Sequence, residues 1–159
     1  MAQPVKAIPD GYHTVTPCLV LRDAARAIEF YKQAFGAQQT FRMDAPNGTV
    51  AHAEMKIGNS ILMLGEENRQ QGCTSPASLG GTPVTLFLYV PDVDAAFQQA
   101  VAAGATVVMP LADMFWGDRY GQVADPFGHR WALATHKEDL TPAQIAERAK
   151  QFFAQGAPA

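Results

Sequence analysis

The chain has 159 residues, a mass of 17.1 kDa and 48% hydrophobic residues, enough for one medium domain or two small fused units with a real core, which excludes intrinsic disorder. With 17% charged residues, a net charge of -3 and a pI near 5.7, it has no basic excess for a phosphate-binding surface, so nucleic acid is not an expected partner. The longest apolar run, residues 84–90 with Thr85 inside it, is far short of the roughly 20 residues that cross a bilayer, and residues 1–10 lack the apolar stretch of a secretory signal. No membrane partner and a cytoplasmic location are therefore expected.

Taken in order, residues 1–12 form an N-terminal extension. Residues 13–66 read as a βαβββ module. Leu19-Val20-Leu21 leads through Asp23, placed to cap a helix, into a helix with an apolar stripe at Ile28, Tyr31 and Phe35 that Gly36 stops. Strands follow at 39–44, 50–57 and 60–66, separated by turns at Pro46-Asn47-Gly48 and Gly58-Asn59. Cys18 sits in the apolar strand pattern and reads as inert core. With Cys73 the only other cysteine, neither a disulfide framework nor a zinc knuckle is supported.

Residues 67–82, with Pro83 at the boundary, are polar and rich in Gly, Gln, Ser and Pro, and read as an exposed linker. Residues 83–136 repeat the first pattern. Leu88-Tyr89-Val90 leads through Asp92 into a helix striped by Val93, Phe97 and Val101 and stopped by Gly104. Strands are expected at 106–109, 121–124 and 130–135, with Asp125-Pro126-Phe127-Gly128 as the last turn. In residues 137–159, Thr141-Pro142-Ala143-Gln144 opens a helix to about Phe153, whose Ile145, Ala149 and Phe152 suggest docking on the body or on a second subunit. The fold class is α+β: two tandem βαβββ modules forming a curled half-barrel cavity, plus a C-terminal helix.

This duplicated unit resembles the vicinal oxygen chelate superfamily of glyoxalases, bleomycin resistance proteins and dioxygenases. The strings Ala25-Arg26-Ala27-Ile28-Glu29-Phe30-Tyr31, Phe115-Trp116-Gly117-Asp118-Arg119-Tyr120-Gly121 and Asp125-Pro126-Phe127-Gly128-His129-Arg130-Trp131 look like its PhnB-like branch. The resemblance implies a cavity built by both modules, usually within a homodimer. In metal-dependent members it also implies four ligands, typically histidine on the first and glutamate on the fourth strand of each module. Carried over residue by residue, those positions fall on Thr16, Met63, Thr85 and Ala132, none of which is a strong donor for a divalent transition metal. No metal and no other cofactor is therefore expected.

Strand alternation puts Ala51, Ala53, Met55 and Ile57 under the helix and leaves His52, Glu54 and Lys56 on the other face, which Met63 and Ile61 share. His52 and Glu54 read as an acid/base pair or as ligands of one relocated divalent metal such as Ni, Zn, Mn or Fe. The plainer reading is a strand with polar residues facing a wet cavity. Thr85, Phe87 and Tyr89 alternate onto one face as an aromatic floor suited to a flat or apolar small molecule. In the Phe115–Gly121 string, Trp116 and Arg119 read as a pocket rim, with Asp118 and Arg119 as an exposed pair in the plainer reading. His129 and His136 read as surface residues, and His13 as within reach of a neighbouring cavity in a dimer.

These residues lead to the expectation of a cytoplasmic homodimer that binds a small organic molecule through Thr16, His52, Glu54, Met63, Thr85, Phe87, Tyr89, Trp116 and Arg119, in resistance by sequestration. The alternative is a lyase, isomerase or dioxygenase using His52 and Glu54.

Overall fold

The structure is a computed structural model that describes residues 5–156; the ends of the N-terminal extension (1–4) and of the C-terminal tail (157–159) lie outside the described residues. Its contacts divide the chain into two compact units. The first runs to Pro83 and takes in Pro126–Gly128, and the second holds the rest.

In the first unit, β1 (Cys18–Leu21), α1 (Ala24–Phe35), β2 (Gln38–Asp44), β3 (Val50–Ile57) and β4 (Ser60–Glu66) form a four-stranded sheet in the order β1-β4-β3-β2. β1 and β4 are parallel and the other pairs antiparallel. In the second unit, β5 (Thr85–Tyr89), α3 (Val93–Ala103), β6 (Thr106–Asp113), β7 (Asp118–Ala124) and β8 (Arg130–His136) repeat that order and sense as β5-β8-β7-β6. The repeat read from the sequence is thus a repeat of topology, and the class is α+β, two four-stranded mixed sheets with helices.

The two units also repeat the way each helix starts. The last residue of β4, Glu66, accepts from the backbone N–H groups of Asp23 and Ala24, both at 2.8 Å. Near the end of β8, Thr135 Oγ1 accepts from Val93 N at 2.9 Å and donates to the Val90 carbonyl at 2.8 Å. Each module's fourth strand therefore satisfies the orphan donors of its own helix, locking helix to sheet. Asp23 does this at φ 67°, a left-handed conformation that aspartate tolerates better than most residues, and its side chain accepts from Arg26 N at 3.3 Å. Ala27, Ile28 and Tyr31 of α1 are buried with Ala53, Met55 and Leu64 of the sheet. In the second unit Val93 and Phe97 are buried, as are Val123, Trp131 and Leu133.

Several expectations are corrected. Residues 67–83, expected as an exposed linker, hold a 3-10 turn (Arg69–Gln71) and a short helix, α2 (Pro76–Leu79), with Ser75 and Pro76 buried. The Glu67 carboxylate organises them, accepting from Ser75 N and Ser75 Oγ at 2.7 Å each, Ser78 Oγ at 2.9 Å and Arg69 Nε at 3.1 Å. β6 continues through Pro110 to Asp113, because bulges between Val107 and Met109 and between Met109 and Ala112 admit a proline on an edge strand. β7 begins at Asp118, so Arg119 lies in a strand. Cys18 is exposed rather than core.

At the start of β3, Val50 is buried and Ala51 exposed, since the β2–β3 register shifts between Met43 and Asp44 and reverses the alternation there. His129 is buried: Asp125 folds the turn back on itself by accepting from His129 N and Trp131 Nε1, both at 2.9 Å. The C-terminal helix, α4 (Pro142–Ala154), has the expected capping box, with Thr141 accepting from Gln144 N and Gln144 reaching back to Thr141 N.

Candidate functional site

The first unit brings Thr16, Glu54 and Met63 to one cavity of about 450 Å3, which Tyr12 and His13 also line. Glu54 is opposite Met63 in the β3–β4 register, which makes them neighbours on one sheet face. The Tyr12 hydroxyl donates to Glu54 Oε2. The other oxygen, Oε1, lies 3.2 Å from His52 Nε2. The hydrogen bond from Tyr12, with His52 adding to it, holds the Glu54 carboxyl below its ordinary range despite partial burial. The same bond holds the Tyr12 phenol above its own.

His52 itself faces an adjoining cavity of about 650 Å3 that Cys18 and Cys73 line, while Phe41 lies beside its ring at 6.1 Å between centroids. His13 Nε2 is 3.1 Å from the Asn59 carbonyl within its own unit. Tyr12 was not singled out in the sequence. It precedes the first strand, and only the path of residues 9–16 beside Glu54 gives it a role.

In the second unit the alternation of β5 holds: Phe87 and Tyr89 are exposed on one face, with Thr85 in the same register. The rings of Phe87 and Tyr89 stand 4.9 Å apart, Phe87 and Tyr120 5.6 Å, and Tyr120 and Trp116 5.4 Å. Gln122 donates to the Tyr120 hydroxyl.

Beneath this face lies Asp118, whose side chain is 3% exposed. It accepts from Tyr89 Oη at 2.9 Å and Trp116 Nε1 at 3.0 Å on one oxygen, while its other oxygen lies 2.7 Å from His136 Nδ1. The second ring nitrogen of His136 meets Asp139 at 3.0 Å. Its hydrogen bond to Asp118, then that to Asp139, raises the His136 pKa, since the imidazolium donates from both nitrogens to carboxylates. The Asp118 bond likewise raises the Tyr89 phenol.

Arg119 lines a cavity of about 810 Å3 with Phe115 and Phe152, and its partner is Asp94 rather than Asp118. Its guanidinium makes a bidentate pair with Asp94, Nε to Oδ2 and Nη2 to Oδ1 at 2.8 Å each, and reaches Asp113 at 3.3 Å. A ligand carboxylate finds that fork already occupied by the chain's own acids. Asp118 faces the other way, as successive residues of a strand must. His136, read as a plain surface residue, is half exposed but pairs with Asp118 across the end of the β7–β8 ladder. No spacing motif marks that pairing, which depends on the two strands being in register.

The four positions at which a metal would be held are equivalent in the two units: Cys18 pairs with Met63 as Phe87 does with Ala132, and Thr16 and Thr85 lie two residues earlier. Their side chains are two hydroxyls, a thioether and a methyl, which do not fit a divalent transition metal. Among the described residues, no group of three or more His, Cys, Asp or Glu is placed to hold one.

The chain matches the glyoxalase/bleomycin resistance protein/dioxygenase superfamily over residues 12–133 and is a member of it. It is 52% identical over 134 residues to the uncharacterized protein Mb0911c of Mycobacterium bovis, covering 82% of this chain and 88% of that one. Among solved structures it is similar to TioX from Micromonospora sp. ML1, with 33% identity, a TM-score of 0.63, and coverage of 77% of this chain and 97% of that one. It shares the fold of the PhnB protein from Bacillus cereus at 19% identity and a TM-score of 0.60, covering 77% and 99%. Among the described residues no helix is long and apolar enough to cross a membrane.

Proposed function

We propose that this chain binds a flat small organic molecule without a metal, on the aromatic face of the second unit, and that it stands in the PhnB-like branch of its superfamily. The observation that carries the reading is the buried Asp118 holding Tyr89 and Trp116 beside Phe87 and Tyr120, a polar anchor under an array of rings. Rings give contact area at low conformational cost, and a fixed hydroxyl sets ligand orientation. Sequestration of a toxic compound by a cytoplasmic homodimer is the role this chemistry serves. The second copy would cover apolar side chains such as Phe41 and Met43, about half exposed on β2.

The test is a calorimetric screen of planar phenols and heteroaromatics. A binder is expected whose affinity falls about tenfold, near 1.4 kcal/mol, in both Tyr89→Phe and Asp118→Asn. A screen without binders, or binders indifferent to both substitutions, overturns the reading.

A second reading rests on a different observation, the Glu54 carboxylate shared by Tyr12 and His52. In that reading His52 and Glu54 move protons to and from a ligand, and Tyr12 fixes the orientation of Glu54. A bell-shaped pH–rate profile lost in His52→Ala and Glu54→Ala would support it, as would a metal content that depends on both residues for its metal-assisted form.

A further inference from the structure

The aromatic face of the second unit does not end at Trp116. Phe115 stands 5.0 Å from Trp116 and 5.2 Å from Phe152, and Phe153 lies 5.5 Å beyond Phe152, so one unbroken chain of rings runs from Tyr89 on β5 to the end of α4. Phe152 packs, with Trp116, on the buried cluster of Met114, Tyr120, Ala132 and Ala134. It is therefore half-buried on the floor of the face, at the end opposite Phe87 and Tyr89.

Three features separate this contact from ordinary core packing. No residue of α4 is buried. Besides the rings, the helix is tied to the preceding segment by the pair Arg148–Glu138, whose side chains are both about half exposed. Finally, α4 begins at Pro142, beyond residue 133, where the match to the superfamily stops.

We propose that Phe152 is the specificity-determining residue of this site: it closes the Trp116 end of the aromatic face, so that the face takes a flat ligand of one or two fused rings over Phe87 and Tyr89 and rejects larger polycyclic ones. The proposal rests on the ligand-binding reading above. A ring system that reaches past Tyr120 meets the phenyl group of Phe152 on the surface it would need, and can stack there only by displacing α4. Displacement consumes part of the binding free energy, and a ligand that stays on Phe87 and Tyr89 does not incur it.

The experiment compares 1-naphthol with 1-pyrenol on the full chain, on Phe152→Ala and on Phe153→Ala. Phe153 is the control: its ring also lies 5.8 Å from Phe115, but it is 65% exposed and is not packed on the buried cluster. Phe152→Ala is expected to leave the 1-naphthol Kd within about twofold and to tighten 1-pyrenol about tenfold, while Phe153→Ala changes neither. Weakening of both probes by Phe152→Ala makes Phe152 a mere wall and overturns the proposal, as does an unchanged 1-pyrenol Kd.

Acrylamide quenching of tryptophan emission supplies a readout without ligand, because Trp131 is 1% exposed and the quenched signal is that of Trp116. Quenching must rise in Phe152→Ala, and unchanged quenching with the probes bound overturns this inference alone. Failure of both probes to bind any form overturns the ligand reading and this inference with it.

Discussion

Glu54 shows how much one side chain can organise. Its two oxygens serve two different groups, the phenol of Tyr12 and the imidazole of His52, which reach it from 42 residues and two residues away in sequence. The His52–Glu54 half was legible, because strand alternation alone puts residues two apart on one face. Tyr12 was not, since no periodicity governs an irregular N-terminal segment. The shared carboxylate makes a testable claim about charge. Tyr12 titrates above the ordinary phenol value of 10.0 because its proton is held by an anion. Glu54→Gln removes that anion, so the Tyr12 titration should move down toward 10.0 in an ultraviolet pH titration that resolves it from Tyr31, Tyr89 and Tyr120. An unchanged curve would mean that the hydroxyl does not meet Glu54 in solution.

At the scale of elements, residues 67–83 of the first unit carry structure that no sequence periodicity marks. Glycine, serine and proline between two periodic modules read as a linker, yet a single carboxylate supplies what hydrophobic periodicity does not. Glu67 gathers the donors of Ser75, Ser78 and Arg69, and those bonds, led by that from Ser78, bring its pKa down from 4.5 to about 2. Ser75 is fully buried as a result. Because the folded-state value lies below the unfolded one, the stabilisation from this clasp is complete above about pH 4.5 and is lost as pH falls toward about 2. Glu67→Gln should therefore lower Tm at pH 7, and its difference from the parent should shrink to nothing as both are melted at successively lower pH down to about 2. A difference that stays constant with pH would assign the clasp to shape rather than charge. The same limit explains β6 and β7. The expected strands end at Met109 and start at Gly121, but bulges on an edge strand absorb Pro110, and Gly117 adopts φ 99° in the turn just before β7.

For the whole molecule, the duplication was the most legible feature, because each copy repeats its capping aspartate, apolar helix stripe and terminating glycine, and all of these are local. What could not be read is where a local piece takes its tertiary partners. Phe127 belongs to the turn between β7 and β8, and such turns are expected at the surface. It is 4% exposed, and its ring lies 6.0 Å from that of Phe30 and 6.3 Å from that of Tyr31, with the Arg26 guanidinium 5.4 Å over its face. A residue of the second βαβββ module thus completes the core of the first unit, and the Asp-Pro-Phe-Gly string is a packing motif as much as a turn. Truncating it leaves a cavity against α1 that the two neighbouring rings and the Arg26 guanidinium cannot collapse to fill. Phe127→Ala is expected to cost about 3–5 kcal/mol in urea unfolding followed by circular dichroism, the range for a buried phenylalanine. Phe127→Leu, which keeps most of the volume but loses the edge-to-face and cation–π geometry, should recover all but about 1–2 kcal/mol of that loss. A loss below about 1 kcal/mol for the alanine variant would place Phe127 at the surface, as an ordinary turn residue.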